Sequence, residues 1–432
     1  MSMPSPLDAR PNGRRSAARI ATAITFTSAF ALLLSACSGG IANQTTPSSA
    51  GTGNATCGTT ITIGAPNPLS GPLTDFGTNA IQGTQIAAAE INAAGGIKAL
   101  GGAKIKIETG DTGSSDPSQA TSATTKLIED GSVALVGAWL SGLTTTVSTV
   151  AEQASVPILS QSWADTLSQR SYQFYFQPPP KSSQIGGAAT SYVVAAAKSV
   201  GVTFTKVAGV GPNDVANTAQ ITAAVNAFKA AGASADAPTF FQAGITDATP
   251  IITRLAAQNA DLLLVSGTPA DVSLIVKGLR ARNITTPILG FGGAFVVPSF
   301  AKVMGDQVNG LIAVGAWNWD LPLPGVKAAA AAYKKKYGEF MPMEAGESWV
   351  DVHLIADAME KAKSCKPTEI AAALHSIDVT SGPGSAMPGG EVSFNADGTN
   401  PHAVPVLTQW KNNQPATVWP QKYATTKIDF GK

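Results

Sequence analysis

The chain has 432 residues, more than a single hydrophobic core usually supports, so two lobes or domains are expected. Charged residues make up 13% and the formal net charge is +1, which leaves no basic excess to attract nucleic acid. A hydrophobic content of 44% fits an ordinary globular body.

At the start of the chain, Arg10, Arg14, Arg15 and Arg19 precede an apolar run from Ile20 to Leu34 that is broken by Thr and Ser. This is the profile of a signal peptide. The run is short for a membrane span, which needs roughly 20 strongly apolar residues. It ends in Leu34-Ser35-Ala36-Cys37, which resembles the lipobox of bacterial lipoproteins. Residues 1–36 are therefore expected to be removed and Cys37 to be acylated. Two or more acyl chains, at about 0.8 kcal/mol per buried methylene, hold a protein stably on a bilayer. Ser38 to Thr56 is Ser, Gly, Thr, Asn and Pro with almost nothing to bury, so residues 37–57 read as anchor and flexible tether. Beyond Cys37 only Cys57 and Cys365 remain, and the residues alone leave both a disulfide and two separate thiols open.

The body alternates strands and helices. Thr60 to Gly64 is a β-branched run, Asn79 to Asn92 has helical spacing, Lys104 to Glu108 alternates as a strand, and Pro117 to Asp130 reads as a helix with Pro in its first turn. A short strand at Val133 to Val136, a helix at Thr144 to Gln153 and a strand from Pro157 follow. Pro178-Pro179-Pro180 can extend neither a helix nor a central strand and marks a crossover. The alternation then restarts: helix Ile185–Ser199, strand Lys206–Val210, helix Ala216–Ala231, strand Thr239–Gln242, helix Pro250–Asn259, strand Leu262–Val265, helix Ala270–Ala281 and strand Ile288–Gly290. The tail adds helices at Ser348–Lys363 and Pro367–His375, then strands at Glu391–Phe394 and Val404–Trp410. Such alternation predicts an α/β fold with parallel sheets in two lobes, whose ligands sit beyond the carboxyl ends of the strands.

Certain residues, in this order, carry a resemblance. Pro68-Leu69-Ser70-Gly71-Pro72, then Ala89-Glu90-Ile91-Asn92-Ala93-Ala94-Gly95-Gly96-Ile97, then Asp111 with Asp116-Pro117, resemble the leucine/isoleucine/valine-binding branch of type I periplasmic solute-binding proteins. Gly137 with Ser141, Val156-Pro157-Ile158, Trp349-Val350-Asp351, Val392-Ser393-Phe394-Asn395 with Gly398, and Val418-Trp419-Pro420 continue the match from Thr59 onward. The resemblance implies two Rossmann-like lobes joined by three crossovers, with residues 58–177 plus 316–398 in one and 178–315 plus 399–432 in the other. It implies a monomer, anchored on the outer face of a bacterial cytoplasmic membrane, that clamps a small solute and docks on an ABC permease with paired ATPases. Because the late helices of this family rejoin the first lobe, it also favours a Cys57–Cys365 bond.

Family pocket positions carry over to the loop Trp139-Leu140-Ser141-Gly142-Leu143-Thr144, where hydroxyls and the helix N–H groups of Ser141, Leu143 and Thr144 would meet a carboxylate. Ser162, Trp163 and Ala164 fall on the next pocket loop, and Val215 and Thr268 on two loops of the second lobe. Where amino-acid-binding relatives place an acid to pair with an ammonium, this chain has Gly292. An ammonium buried without a partner costs several kcal/mol, which favours a small carboxylate or amide with an apolar or aromatic body. Asp214, Asp271, Glu344 and Glu347 are the carboxylates that could restore a counter-charge, each also readable as a solvated loop group. Trp317 and Trp319 fall at the second crossover, where they could wall a pocket or pack the lobe base.

His353, His375 and His402 are the only histidines, and none neighbours a Cys or a carboxylate pair with metal-ligand spacing. The sequence contains no Gly-x-Ser-x-Gly elbow, P-loop or dinucleotide fingerprint. Neither catalysis nor a cofactor is expected. The rival to transport is a sensory protein that presents its closed form to a receptor or regulator.

Overall fold

The computed structural model describes residues 57–431. The expected signal peptide, the acylation site at Cys37 and the tether up to residue 56 lie outside the described residues.

Strands β1 (Thr60–Asn67), β2 (Lys104–Asp111), β3 (Ala134–Val136), β4 (Ile158–Leu159) and β5 (Tyr175–Phe176) form a wholly parallel sheet in the order β2-β1-β3-β4-β5. Helices α1 (Thr74–Ala93), α2 (Pro117–Glu129) and α3 (Ser141–Gln153) connect the first four strands. The central strand β3 is buried throughout, as an unbroken apolar run requires, whereas edge strand β2 carries exposed Lys104 and Lys106. Helix α2 starts where the sequence says it should: Asp116 accepts from Ser118 N at 2.8 Å and Pro117 fills the first turn.

After β5 the chain crosses to a second sheet. It comprises β6 (Lys206–Pro212), β7 (Ser234–Ala235), β8 (Thr239–Phe241), β9 (Leu262–Ser266), β10 (Ile288–Phe291) and β11 (Ile312–Gly315), all parallel. Helices α4 (Ser182–Ser199), α5 (Val215–Ala230), α6 (Thr249–Gln258), α7 (Pro269–Ala281) and α8 (Pro298–Met304) belong to this stretch. The chain then returns through α9 (Val326–Tyr337), α10 (Met343–Ala362) and α11 (Pro367–His375), and α10 packs along α1. Strands β12 (Asp378–Val379) and β13 (Val392–Ser393) pair with each other. A last crossing delivers β14 (Val406–Lys411) and β15 (Gln414–Trp419), which extend the second sheet in antiparallel sense beside β11. The first and third crossings lie side by side: Gln177 N donates to Gly398 O at 2.8 Å, and Asn400 N to Gln177 O at 3.1 Å.

Elements beyond those expected are β5, β7, α8, β11, α9, β12 and β15. The hairpin joining β14 to β15 turns on Asn412 and Asn413, both left-handed at φ 51° and 59°, a turn signal the residues carried. Helix α10 begins at Met343, ahead of the expected Ser348, so Glu344 and Glu347 are helical rather than loop residues. Cys57 and Cys365 are bonded, with Cα atoms 5.9 Å apart, which resolves the alternative the residues left open.

Gly83 of α1 is what lets α10 approach, since a Cβ there would lie 2.0 Å from Ala345 O. Backbone cannot yield as a side chain can. Gly83→Ala is expected to destabilise the protein by about 2 kcal/mol, the usual range for overpacking, and denaturant unfolding checks it.

Candidate functional site

Two loops at the carboxyl ends of β3 and β4 converge. Trp139 stacks on Phe76 with ring centroids 4.0 Å apart and planes 4° from parallel, and its backbone N–H donates to Asn67 Oδ1 at 3.4 Å. Thr144 Oγ1 donates to Ala138 O and meets Ser162 Oγ at 2.6 Å, while Ser162 Oγ donates to Trp139 O at 2.9 Å. Ser141 Oγ accepts the N–H of Ala164 at 3.3 Å. The hydroxyls of Thr144, Ser162 and Ser141 therefore bind the two loops to each other, and Thr144 and Ser162 are buried. Leu143 places its side chain in the apolar core with Leu135, Val147 and Ile158, so only its backbone can serve the loop. Leu140, which precedes α3, offers no side-chain cap, so the first-turn N–H groups of that helix meet no capping side chain.

The second-lobe residues gather less closely. Val215 opens α5 with 66% of its surface exposed, so its side chain is not enclosed with Trp163 and Ser162. Thr268 caps α7 by accepting from Asp271 N at 3.2 Å and donating to Asp271 Oδ2 at 2.8 Å. Asp271 also accepts from Gly244 N and Ile245 N at 3.0 and 2.9 Å, so its carboxylate is committed to that loop. Asp214 is an exposed cap for α5, taking Asn217 N at 2.9 Å. Gly292 follows β10 at φ 81° and ψ 173°, a region essentially reserved for glycine, although a Cβ would meet nothing within 4 Å. The backbone, not lack of space, keeps a side chain out.

Trp317 is buried core, with Nε1 donating to Ala386 O at 3.1 Å, and Trp319 Nε1 donates to Pro415 O at 2.9 Å. Both indoles are tied to late segments of the chain and pack against its core.

Helix α10 carries what the sequence reading underweighted. It is buried on nearly every side, yet Glu344, Glu347, Ser348 and Asp351, spaced three, four and seven apart, share one face. Asp351 takes a hydrogen bond from Gln161 Nε2 in the loop after β4. Burial pushes Asp351 and Glu344 each up to about 8. Asn79 moderates the rise at Glu344, Asp75 adds to it, and Gln161 moderates Asp351. Glu347 is held well above the usual carboxylate range, first by burial and then by the charges of Glu344 and Asp351. The Trp163 indole opposes that rise from beside the carboxylate without closing a hydrogen bond to it. An acidic stripe on a helix otherwise made of Met343, Ala345, Trp349, Val350, Val352 and Leu354 was the signal that could have exposed this face.

The histidines lie apart from this site: His353 contacts Glu90 at 3.2 Å, His375 contacts Gln173 O at 2.8 Å, and His402 contacts Glu391 at 3.0 Å. Among the described residues no group of His, Cys, Asp and Glu has the arrangement to hold a metal ion.

A family model described as periplasmic binding protein matches residues 60–415. Leu/Ile/Val-binding protein homolog 8 of Brucella melitensis is 25% identical over 398 residues, covering 86% of this chain and 93% of the relative. The branched-chain amino acid transporter substrate-binding protein LivJ of Streptococcus pneumoniae, solved with isoleucine, superposes with a TM-score of 0.71 at 26% identity, covering 84% of this chain and 100% of that one. An ABC transporter solute-binding protein of R. palustris, solved with benzoate, shares the fold with a TM-score of 0.71 at 20% identity, covering 85% of this chain and 98% of that one. With a match running from β1 into β15, across both sheets and the loops at the carboxyl ends of their parallel strands, the chain belongs to the periplasmic binding protein family.

Proposed function

We propose that this chain is the extracytoplasmic substrate-binding component of an ABC importer, which clasps a small solute between two lobes and presents it to a permease with paired ATPases. It does no chemistry on the solute. The observation that carries this reading is a polar site enclosed where parallel strands end: the 139–144 and 160–164 loops, faced by the buried carboxylates of α10. The lobes are taken as 58–177 with 316–398 and 178–315 with 399–432. In that frame Trp139, Ser141, Leu143, Thr144, Ser162, Trp163 and Ala164 build the first-lobe wall, with Val215, Thr268 and Gly292 opposite. The uncapped start of α3 suits the negative end of a solute. Relatives solved with isoleucine and with benzoate support a small carboxylate-bearing solute. Acylation at Cys37 would keep the monomer at the membrane.

Thermal shift of the full chain against amino acids, amides, short-chain carboxylates and aromatic acids tests the reading. A solute at 100 times its dissociation constant adds about 2.7 kcal/mol of stability. If no compound raises the melting temperature, solute capture is the wrong function. Cys37→Ser is expected to move the protein from the membrane fraction to the soluble one.

A further inference from the structure

Both carboxylate oxygens of Glu344 and of Glu347 are enclosed without a hydrogen-bond partner. Folded proteins avoid leaving buried polar atoms unpaired unless something completes the site. Gln161 Oε1, Ser348 Oγ and Trp163 Nε1 are buried and unpartnered as well. All five side chains come from α10 or from the loop after β4, at the carboxyl ends of the first sheet, and α10 also approaches the turn at 293–296 beyond β10. The unmet atoms are mostly acceptors. Among the described residues, the charged groups that shift this pair are Asp75, Asp351 and the pair itself, none of them a cation. Elsewhere, Asp214 and Asp271 are spent on caps and a loop, and Gly292 carries no charge.

We propose that Glu344 and Glu347 form the receptor for a cationic nitrogen, so that the solute carries an ammonium held by helix α10 instead of by the strand end at Gly292. An ammonium offers three N–H donors, which fits two carboxylates and one of the orphaned acceptors beside them. This replaces the expectation of an amine-free ligand: the counter-charge has moved to another element of the fold. The inference rests on the reading that a solute is clasped between the lobes.

The test is calorimetric titration of the full chain, purified in detergent, with matched pairs: isoleucine against 3-methylpentanoate and phenylalanine against 3-phenylpropanoate, with benzylamine and benzoate alone. The amine-bearing members are expected to bind about 100-fold more tightly than their partners, and Glu347→Gln to remove most of that difference. Binding at neutral pH is expected to release a proton, seen by repeating the titration in buffers of different ionisation heat, because a carboxyl that was neutral must ionise. Glu344→Gln provides a second variant, and an unchanged or higher melting temperature shows that each variant folds. Tighter binding of the amine-free members, or unchanged amine affinity in both variants, overturns the cation receptor while leaving solute capture intact. If none of the six compounds binds the wild type, solute capture and the receptor fall together.

Discussion

Raising the pH from 5.5 to 8.5 lowers the melting temperature of the ligand-free protein by on the order of 5 °C. Glu344 and Asp351 sit near 8 in the folded protein, against ordinary values of 4.5 and 3.8, because burial penalises their charged forms. Between those limits the folded state keeps a proton that the unfolded chain has released. Stability is therefore complete below the ordinary carboxylate range and is lost as the pH rises toward 8. Glu347 shifts in the same direction. The charged or polar groups facing the three include Asp75 and Asn79 from α1, Gln161 and Trp163 from the loop after β4, Tyr175 of β5, Tyr333 of α9, and one another. Glu347→Gln, which removes the charge at nearly constant volume, is expected to raise the melting temperature at pH 8.5 and to flatten the profile. A melting temperature that climbs with pH would mean that these carboxylates are ionised and paired in the folded protein.

Cys365→Ser is expected to cost about 2–5 kcal/mol, a fall of roughly 5 to 10 °C in melting temperature. The bond ties the residue just before β1 to the segment between α10 and α11, 308 positions away. Closing so long a loop removes much freedom from the unfolded chain, and β1 is an inner strand of the first sheet, between β2 and β3, so loosening its start reaches the core. Mild reduction of the wild type should reproduce the loss. If the reduced protein melts where the oxidised one does, the bond merely fastens a fraying end.

What the sequence determined by itself is local. The run of parallel strands and helices was legible because each carries its own period: the unbroken apolar β9 and the capped helices α2 and α7 could be read in isolation. Strands of two residues, such as β5, β7 and β12, are too short to have a period, so pairing rather than sequence defines them. The loop positions Trp139, Ser141, Thr144, Ser162 and Trp163 could be named because the family resemblance carried pocket positions onto them, at strand ends that a parallel sheet brings together. What each does there was not legible. Thr144 and Ser162 spend their hydroxyls on the Ala138 and Trp139 carbonyls, a choice set by how close the two loops lie. The state of Glu344 and Glu347 was decided only by tertiary structure. A carboxylate on a helix looks the same in sequence whether water or protein surrounds it. Here α1, the first-sheet loops and the turn after β10 exclude the water. Asp351 finds its partner Gln161 190 residues away, and no local pattern reports a meeting at that range.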